Sequence, residues 1–283
     1  MTKNNLTYAS CNECATIYMT PRPPPAVLDW FYKDSKNYSF WNDVAFPASE
    51  TVRRQKIFVP RVNQVIEIAE RQNLNMGSVL EVGAGFGTFC VELISRNIFK
   101  KVVGVEPTPK LAATCRSRGI EVIEKPIEYI DVEGDGFDLV VNFEVIEHLF
   151  SPRAFVEAMA KLLRPGGLMV LTCPNGLGFD VQTLGPASDT VDHEHLNYFN
   201  PTSLSGLLAR CGLETIESST PGKLDADLVR EKVLAGKADL SREPFLKRIL
   251  IDEWNELGEK FQHFLIDAGL SSNMWLVARK AMS

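Results

Sequence analysis

Glu144, Glu147 and His148 fall within five residues in "VVNFEVIEHLF" (140–150), just after an apolar run that ends at Asn142. On one helical turn they would share a face at i, i+3 and i+4. A second stretch, "VDHEHLNYFNP" (191–201), holds His193 and His195, so three of the chain's four histidines lie in these two segments. Three chemistries fit such groups. In the first, Glu144 and Glu147 are structural and His148 fixes a loop by hydrogen bonding. In the second, His195 or His193 is a general base, because imidazole titrates near neutral pH. In the third, Glu144, Glu147, His148 and His195 ligate a divalent ion. Two carboxylates and two imidazoles suit Mg²⁺, Mn²⁺ or Zn²⁺, and such an ion would ease deprotonation of a bound hydroxyl.

The elements around these residues must bring the two segments to one place. "SVLEV" (78–82), "KVVGVE" (101–106), "IEVIE" (120–124), "FDLVV" (137–141) and "LMVLTC" (168–173) read as strands. Helices are expected over Val62–Ala69, from about Thr88, at 109–118 and at 153–163. Unbroken apolar strands alternating with helices predict a parallel, doubly wound sheet covered on both faces. "CGLETIESS" (211–219) supplies a sixth strand and "NMWLVAR" (273–279) a closing one. Both ionisable segments follow strand ends on the same edge, where open α/β sheets bind ligands.

"VLEVGAGFGTF" places Gly83, Gly85 and Gly87 between a strand and a helix. Glycine there permits positive φ and close approach of the backbone to a ligand, and the helix start behind it offers free amides. The spacing is G-x-G-x-G, not the G-x-G-x-x-G of dinucleotide binders. Glu106 ends the next strand, where a carboxylate can accept two hydrogen bonds from a ribose diol.

With these motifs and "LLRPGGLMVLTCPN" (162–175), the sequence resembles the class I S-adenosylmethionine (SAM)-dependent methyltransferases over residues 50–220 and the final strand. The resemblance implies an α/β fold: a doubly wound, seven-stranded, mostly parallel Rossmann-like sheet with an antiparallel final strand. It implies that Gly83, Gly85 and Gly87 flank the methionine part of SAM, that Glu81 supports the loop or the amino group, and that Glu106 holds the ribose. Pro126 and Ile127 are expected near the adenine, and Asn142 and Phe143 near the methionine and its methyl. The E-x-x-E-H turn is similar to the metal-binding turn of small-RNA 2′-O-methyltransferases and to a turn in ubiquinone-pathway O-methyltransferases. That similarity implies Glu144, Glu147, His148 and His195 as metal ligands; with the general-base reading, the catalytic candidates are His195, His193, Glu144 and His148. Methyl transfer by in-line displacement would then rest mostly on positioning the acceptor.

The acceptor expected is a small-molecule hydroxyl, on a sugar, a quinone precursor or a secondary metabolite. The other readings are a SAM- or nucleotide-binding module without catalysis, and a nicotinamide reductase. A short-chain reductase would need Tyr-x-x-x-Lys after the fourth strand, whereas here that spacing occurs only at Tyr32 and Lys36, before the glycine loop.

Four zones are expected: an N-terminal arm (1–49), the SAM-binding core (50–220), a helical insertion or cap (221–271) and the closing strand (272–283). The arm reads as irregular. Seven of the chain's 26 aromatics crowd between Trp30 and Phe46, as a lid over a ligand or a satellite core. "YASCNECATIYMTPRPPP" resembles the second half of the zinc ribbon that precedes some methyltransferases of sugar and secondary metabolism, which implies a vestigial pair at Cys11 and Cys14. A closed zinc site usually takes two such pairs. A net charge of −6 argues against a nucleic-acid partner. No secretory or membrane-spanning segment is apparent, and six cysteines do not read as a disulfide framework, so a reducing cytoplasm is expected, with oligomeric state left open.

Overall fold

The computed structural model describes residues 1–131 and 134–282, without the side chains of Asp29, Lys33, Asp34, Asn37, Tyr38 and Trp41. Its strands, in chain order, are β1 (Thr2–Lys3), β2 (Leu6–Ser10), β3 (Ile17–Met19), β4 (Ser78–Val82), β5 (Lys101–Val105), β6 (Glu121–Ile123), β7 (Phe137–Phe143), β8 (Leu163–Pro174), β9 (Asn197–Tyr198), β10 (Leu213–Ser219) and β11 (Asn273–Lys280).

Seven of them form the central sheet in the order β10-β11-β8-β7-β4-β5-β6. Pairings from β8 through β6 are parallel, and β11 runs antiparallel to both of its neighbours. The central strands read as unbroken apolar runs because both faces are covered. Leu80, Val140 and Met169 face one core with the helices Pro152–Leu162 and Pro201–Arg210. Val79, Leu139 and Val170 face the other with the helices Val59–Arg71 and Thr88–Ser95. Successive residues of a strand point to opposite faces, so each strand feeds both cores.

The first 49 residues are more ordered than their aperiodic sequence predicts. β1, β2 and β3 pair antiparallel, and β3 pairs with β9, making a second sheet. Tyr8 and Met19 share a buried cluster with Val191, Leu196 and Tyr198. Strands of two to five residues are too short to show a period, and their partner lies far downstream. A helix, Pro25–Asp34, follows.

Residues 221–271 contain the helices Asp225–Leu234 and Trp254–Asp267. They pack with the helix Phe179–Leu184 around Ala226, Val229 and Leu250. The buried Asp225 carboxylate fastens this unit to the start of β11, accepting from Gln262 Nε2 (2.6 Å), Ser271 Oγ (2.5 Å) and the Ser272 amide (2.5 Å). Among the described residues, no helix is long and apolar enough to cross a membrane.

Candidate active site

The turn after β4 has the left-handed backbone expected of its glycines, with φ of 79° at Gly83, 55° at Gly85 and 72° at Gly87. Space around them differs. A Cβ on Gly83 would lie 2.7 Å from Val145 Cγ2, and one on Gly87 would collide with Ile120 Cδ1. A Cβ on Gly85 would meet nothing within 4 Å, so this residue opens onto free space. Glu106, just past β5, is buried, and its two oxygens accept from the Gly85 and Thr108 amides, each at 2.8 Å. Burial raises its pKa. The carboxylate keeps lone pairs for a diol, because each oxygen has two.

Glu81 lies buried inside β4 and accepts from Cys90 Sγ at 3.0 Å. Burial, only partly offset by Cys90 and Arg61, lifts its pKa from 4.5 to about 8. A carboxyl whose pKa rises on folding adds stability that is whole below the unfolded value and is lost as pH climbs through the folded one. Stability of the ligand-free protein is therefore expected to fall between about pH 4.5 and 8, by up to about 1.4 kcal/mol per unit from this one group. Urea midpoints across that range should show a shallower fall in Glu81→Gln. An unchanged slope would mean that Glu81 is not the group responsible.

The other residues expected around the cofactor are less open. Pro126 is exposed and starts the turn Ile127–Tyr129, while Ile127 is buried in the core. Asn142 is buried, and its Nδ2 donates to the Val82 carbonyl at 2.8 Å, tying β7 to β4. Phe143 packs on Phe89 with ring centroids 4.8 Å apart. Above it lies a residue that the spacing of motifs does not single out. Arg61, on the helix Val59–Arg71, holds its guanidinium 4.4 Å from the Phe143 ring centre and 4.0 Å from Glu144 Oε1. It donates no hydrogen bond to any described residue, and burial lowers its pKa.

Glu144 adopts φ 54°, and its Oε1 accepts from Thr172 Oγ1 (2.6 Å) and Asn273 Nδ2 (3.1 Å). The chain then makes a single tight turn, Ile146–His148. This turn is stitched to the later segment by the Leu196 amide on the Glu147 carbonyl (2.8 Å) and Asn197 Nδ2 on the Leu149 carbonyl (2.8 Å). The rings of His148 and His195 therefore meet, with centroids 4.7 Å apart. His148 Nδ1 contacts the Glu194 carbonyl (3.0 Å), and His195 Nδ1 contacts the Thr190 carbonyl (2.9 Å). A carbonyl only accepts, so each Nδ1 carries the proton and each Nε2 keeps its lone pair.

Beside them stands Glu147, 1% exposed, with neither carboxylate oxygen hydrogen-bonded. His148 Nε2 is 3.8 Å from its Oε1. Burial, and next the charge of Glu144, pushes the Glu147 pKa well up. Burial, and next His195, pushes His148 down to about 3, and burial lowers His195 as well. One ligand atom from each of Glu147, His148 and His195 lies within 4.8 Å of the other two.

Of the four expected metal ligands, three come together, and the Glu144 carboxylate is engaged with Thr172 and Asn273. His193 is 46% exposed and pairs with Asp192 at 2.8 Å. Rings of the N-terminal arm cover this corner: Phe31 lies edge-on to His193 and Tyr32 to His148. Cys11 is partly exposed and Cys14 exposed; both are free thiols. Among the described residues, neither belongs to a group of three or more side chains able to share an ion.

Strand order, glycine turn and following carboxylate form a Rossmann-like arrangement at the edge where open α/β sheets bind ligands. A family model described as "Methyltransferase domain" matches residues 53–218. The chain belongs to that family, the class I SAM-dependent methyltransferases, whose cofactor is SAM. One relative, a "probable S-adenosylmethionine-dependent methyltransferase" of Mycolicibacterium smegmatis, is 31% identical over 48% of this chain and 51% of its own length. A ubiquinone biosynthesis O-methyltransferase of Bartonella tribocorum is 26% identical over 58% of this chain and 70% of its own. The chain thus spans about half the length of the first of these relatives. The fold is shared with a SAM-dependent methyltransferase structure from Clostridium acetobutylicum, at 13% identity and a TM-score of 0.55, covering 85% of this chain and 99% of that one.

Proposed function

We propose that this chain transfers the methyl group of SAM to a hydroxyl of a small-molecule acceptor, with a divalent ion held by Glu147, His148 and His195. The observation that carries this reading is the Glu147 carboxylate, buried without a hydrogen-bond partner beside two imidazoles with bare Nε2 atoms. A buried acid with no partner is costly, and a cation between these three groups would satisfy it. Two imidazoles and one carboxylate suit Mn²⁺ or Zn²⁺ better than Mg²⁺, which favours oxygen ligands. An ion there would lower the pKa of an acceptor hydroxyl and orient it toward the methyl.

The remaining roles fall to the chain's own groups. The Gly85 turn admits the cofactor, and Glu106 accepts from its ribose. Arg61, a partly buried cation without a hydrogen bond among the described residues, receives the carboxylate of the methionine tail. Asn142 and Phe143 bound the methionine side, and Pro126 and Ile127 bound the base. Phe31 and Tyr32 of the arm cover the acceptor side and exclude water. The name of the ubiquinone relatives agrees with an oxygen acceptor. The net charge of −6 favours a small molecule over a nucleic acid.

The Asp192–His193 pair, at 2.8 Å, supports a second reading in which His193 is the base. Single-variant assays separate the two. His195→Ala is expected to lose at least about 100-fold in turnover, as is the wild type after chelation, while both retain SAM affinity. His193→Ala is expected to lose less than about tenfold. Full activity in excess chelator, together with a large loss in His193→Ala, would transfer the role to the Asp192–His193 pair. Calorimetry in which NADPH binds and SAM does not would end both readings.

A further inference from the structure

Behind the histidine loop lies a buried acid that none of this chemistry uses. Asp180, on the helix Phe179–Leu184, is 2% exposed. Its Oδ2 accepts from Ser188 Oγ (2.7 Å) and Thr190 Oγ1 (2.6 Å), and its Oδ1 has no hydrogen-bond partner. Ser188 Oγ accepts in turn from the Thr190 amide at 3.1 Å. Thr190 is therefore held at its hydroxyl and at its amide. Its remaining polar group, the carbonyl, faces His195 Nδ1 at 2.9 Å.

We propose that Asp180 is a positioning residue which, through Ser188 and Thr190, locks His195 in the Nδ1–H tautomer with its Nε2 toward Glu147 and His148. The proposal rests on the role given to His195 above. The far side of the loop has its own anchor, since Tyr8 Oη and Tyr198 Oη both donate to the Asp192 carbonyl (2.8 and 3.3 Å). Removing Asp180 therefore unties the Ser188 and Thr190 hydroxyls and loosens Thr190, while Lys3 still holds the Ser188 carbonyl, Lys232 still pairs with Asp189 and Asp192 stays fastened. A carbonyl free to swing no longer selects one imidazole tautomer. Hydrogen bonds of this kind to the outer nitrogen of a ligating histidine are worth about 10–100-fold in metal affinity.

The test is a long-range ¹H–¹⁵N correlation spectrum of the full chain labelled at histidine nitrogen, without metal, at pH 7.5. Wild type is expected to show His195 with Nδ1 protonated and Nε2 bare. Asp180→Ala is expected to show a mixture of tautomers, to bind Mn²⁺ about 10–100-fold more weakly by electron paramagnetic resonance, and to keep its SAM affinity. Should Asp180→Ala not fold, Thr190→Val removes only the donating hydroxyl and is expected to give the same spectrum, with Thr190→Ser restoring the wild-type one. An unchanged His195 tautomer in the folded variant overturns the proposal. A tautomer shift in a protein whose wild type binds no Mn²⁺ upholds the positioning role and defeats the metal reading instead.

Discussion

Replacing Glu147 with leucine is expected to make the metal-free protein more stable and, at the same time, nearly inactive. Glu147 is 1% exposed, and both of its oxygens lack a hydrogen bond. An unsatisfied buried polar group costs about 1–3 kcal/mol, and leucine of similar shape removes that cost. For a chain of this size each kcal/mol is worth about 2–4 °C, so the melting temperature without metal should rise by several degrees. Turnover should fall by at least about 100-fold, because a group acting on the acceptor's proton contributes on that scale. Added Mn²⁺ should stabilise the wild type and leave Glu147→Leu unmoved, since only a ligand that binds the folded state shifts its melting. A lower melting temperature in the variant, with activity intact, would make Glu147 an ordinary structural acid.

Glu106→Ala should abolish useful SAM binding while leaving the fold in place. The residue holds two backbone amides at 2.8 Å, and the ribose hydroxyls would add to the same carboxylate. Hydrogen bonds to a charged group are worth about 1.5–3 kcal/mol each, so losing two from the ribose weakens SAM by about 10²–10⁴-fold. Calorimetry with S-adenosylhomocysteine gives the number directly. Gly85→Ala is the informative companion. Its Cβ meets nothing in the protein, so beyond the cost of positive φ it reports on the space the cofactor needs. A weakening below tenfold in Glu106→Ala would move the ribose elsewhere.

Both variants bear on a site that carries strain and buried acids. Glu144 at φ 54°, Glu81 held up at about 8 and the unpartnered Glu147 all lie around the carboxyl ends of β4 and β7. Each lowers the stability of the ligand-free protein, and such costs concentrate where ligands act.

The chain's sequence by itself determined the central sheet and its glycine turn. β4, β5, β7 and β8 are legible because strands buried on both faces must be apolar at nearly every position. Gly83, Gly85 and Gly87 are legible because positive φ leaves few other residue types. The E-x-x-E-H turn and the two later histidines are visible as residues in the sequence; which of them meet is not. Only the tertiary structure decided that Glu147, His148 and His195 converge while Glu144 turns to Thr172, since the stitch is made by bonds from Leu196 and Asn197 to the carbonyls of Glu147 and Leu149 across the fold. It also decided that the aperiodic first residues form a sheet with β9, and that Arg61 and Asp180 stand at the site. These features depend on partners far away in sequence, and a period or a spacing carries information only about neighbours along one element.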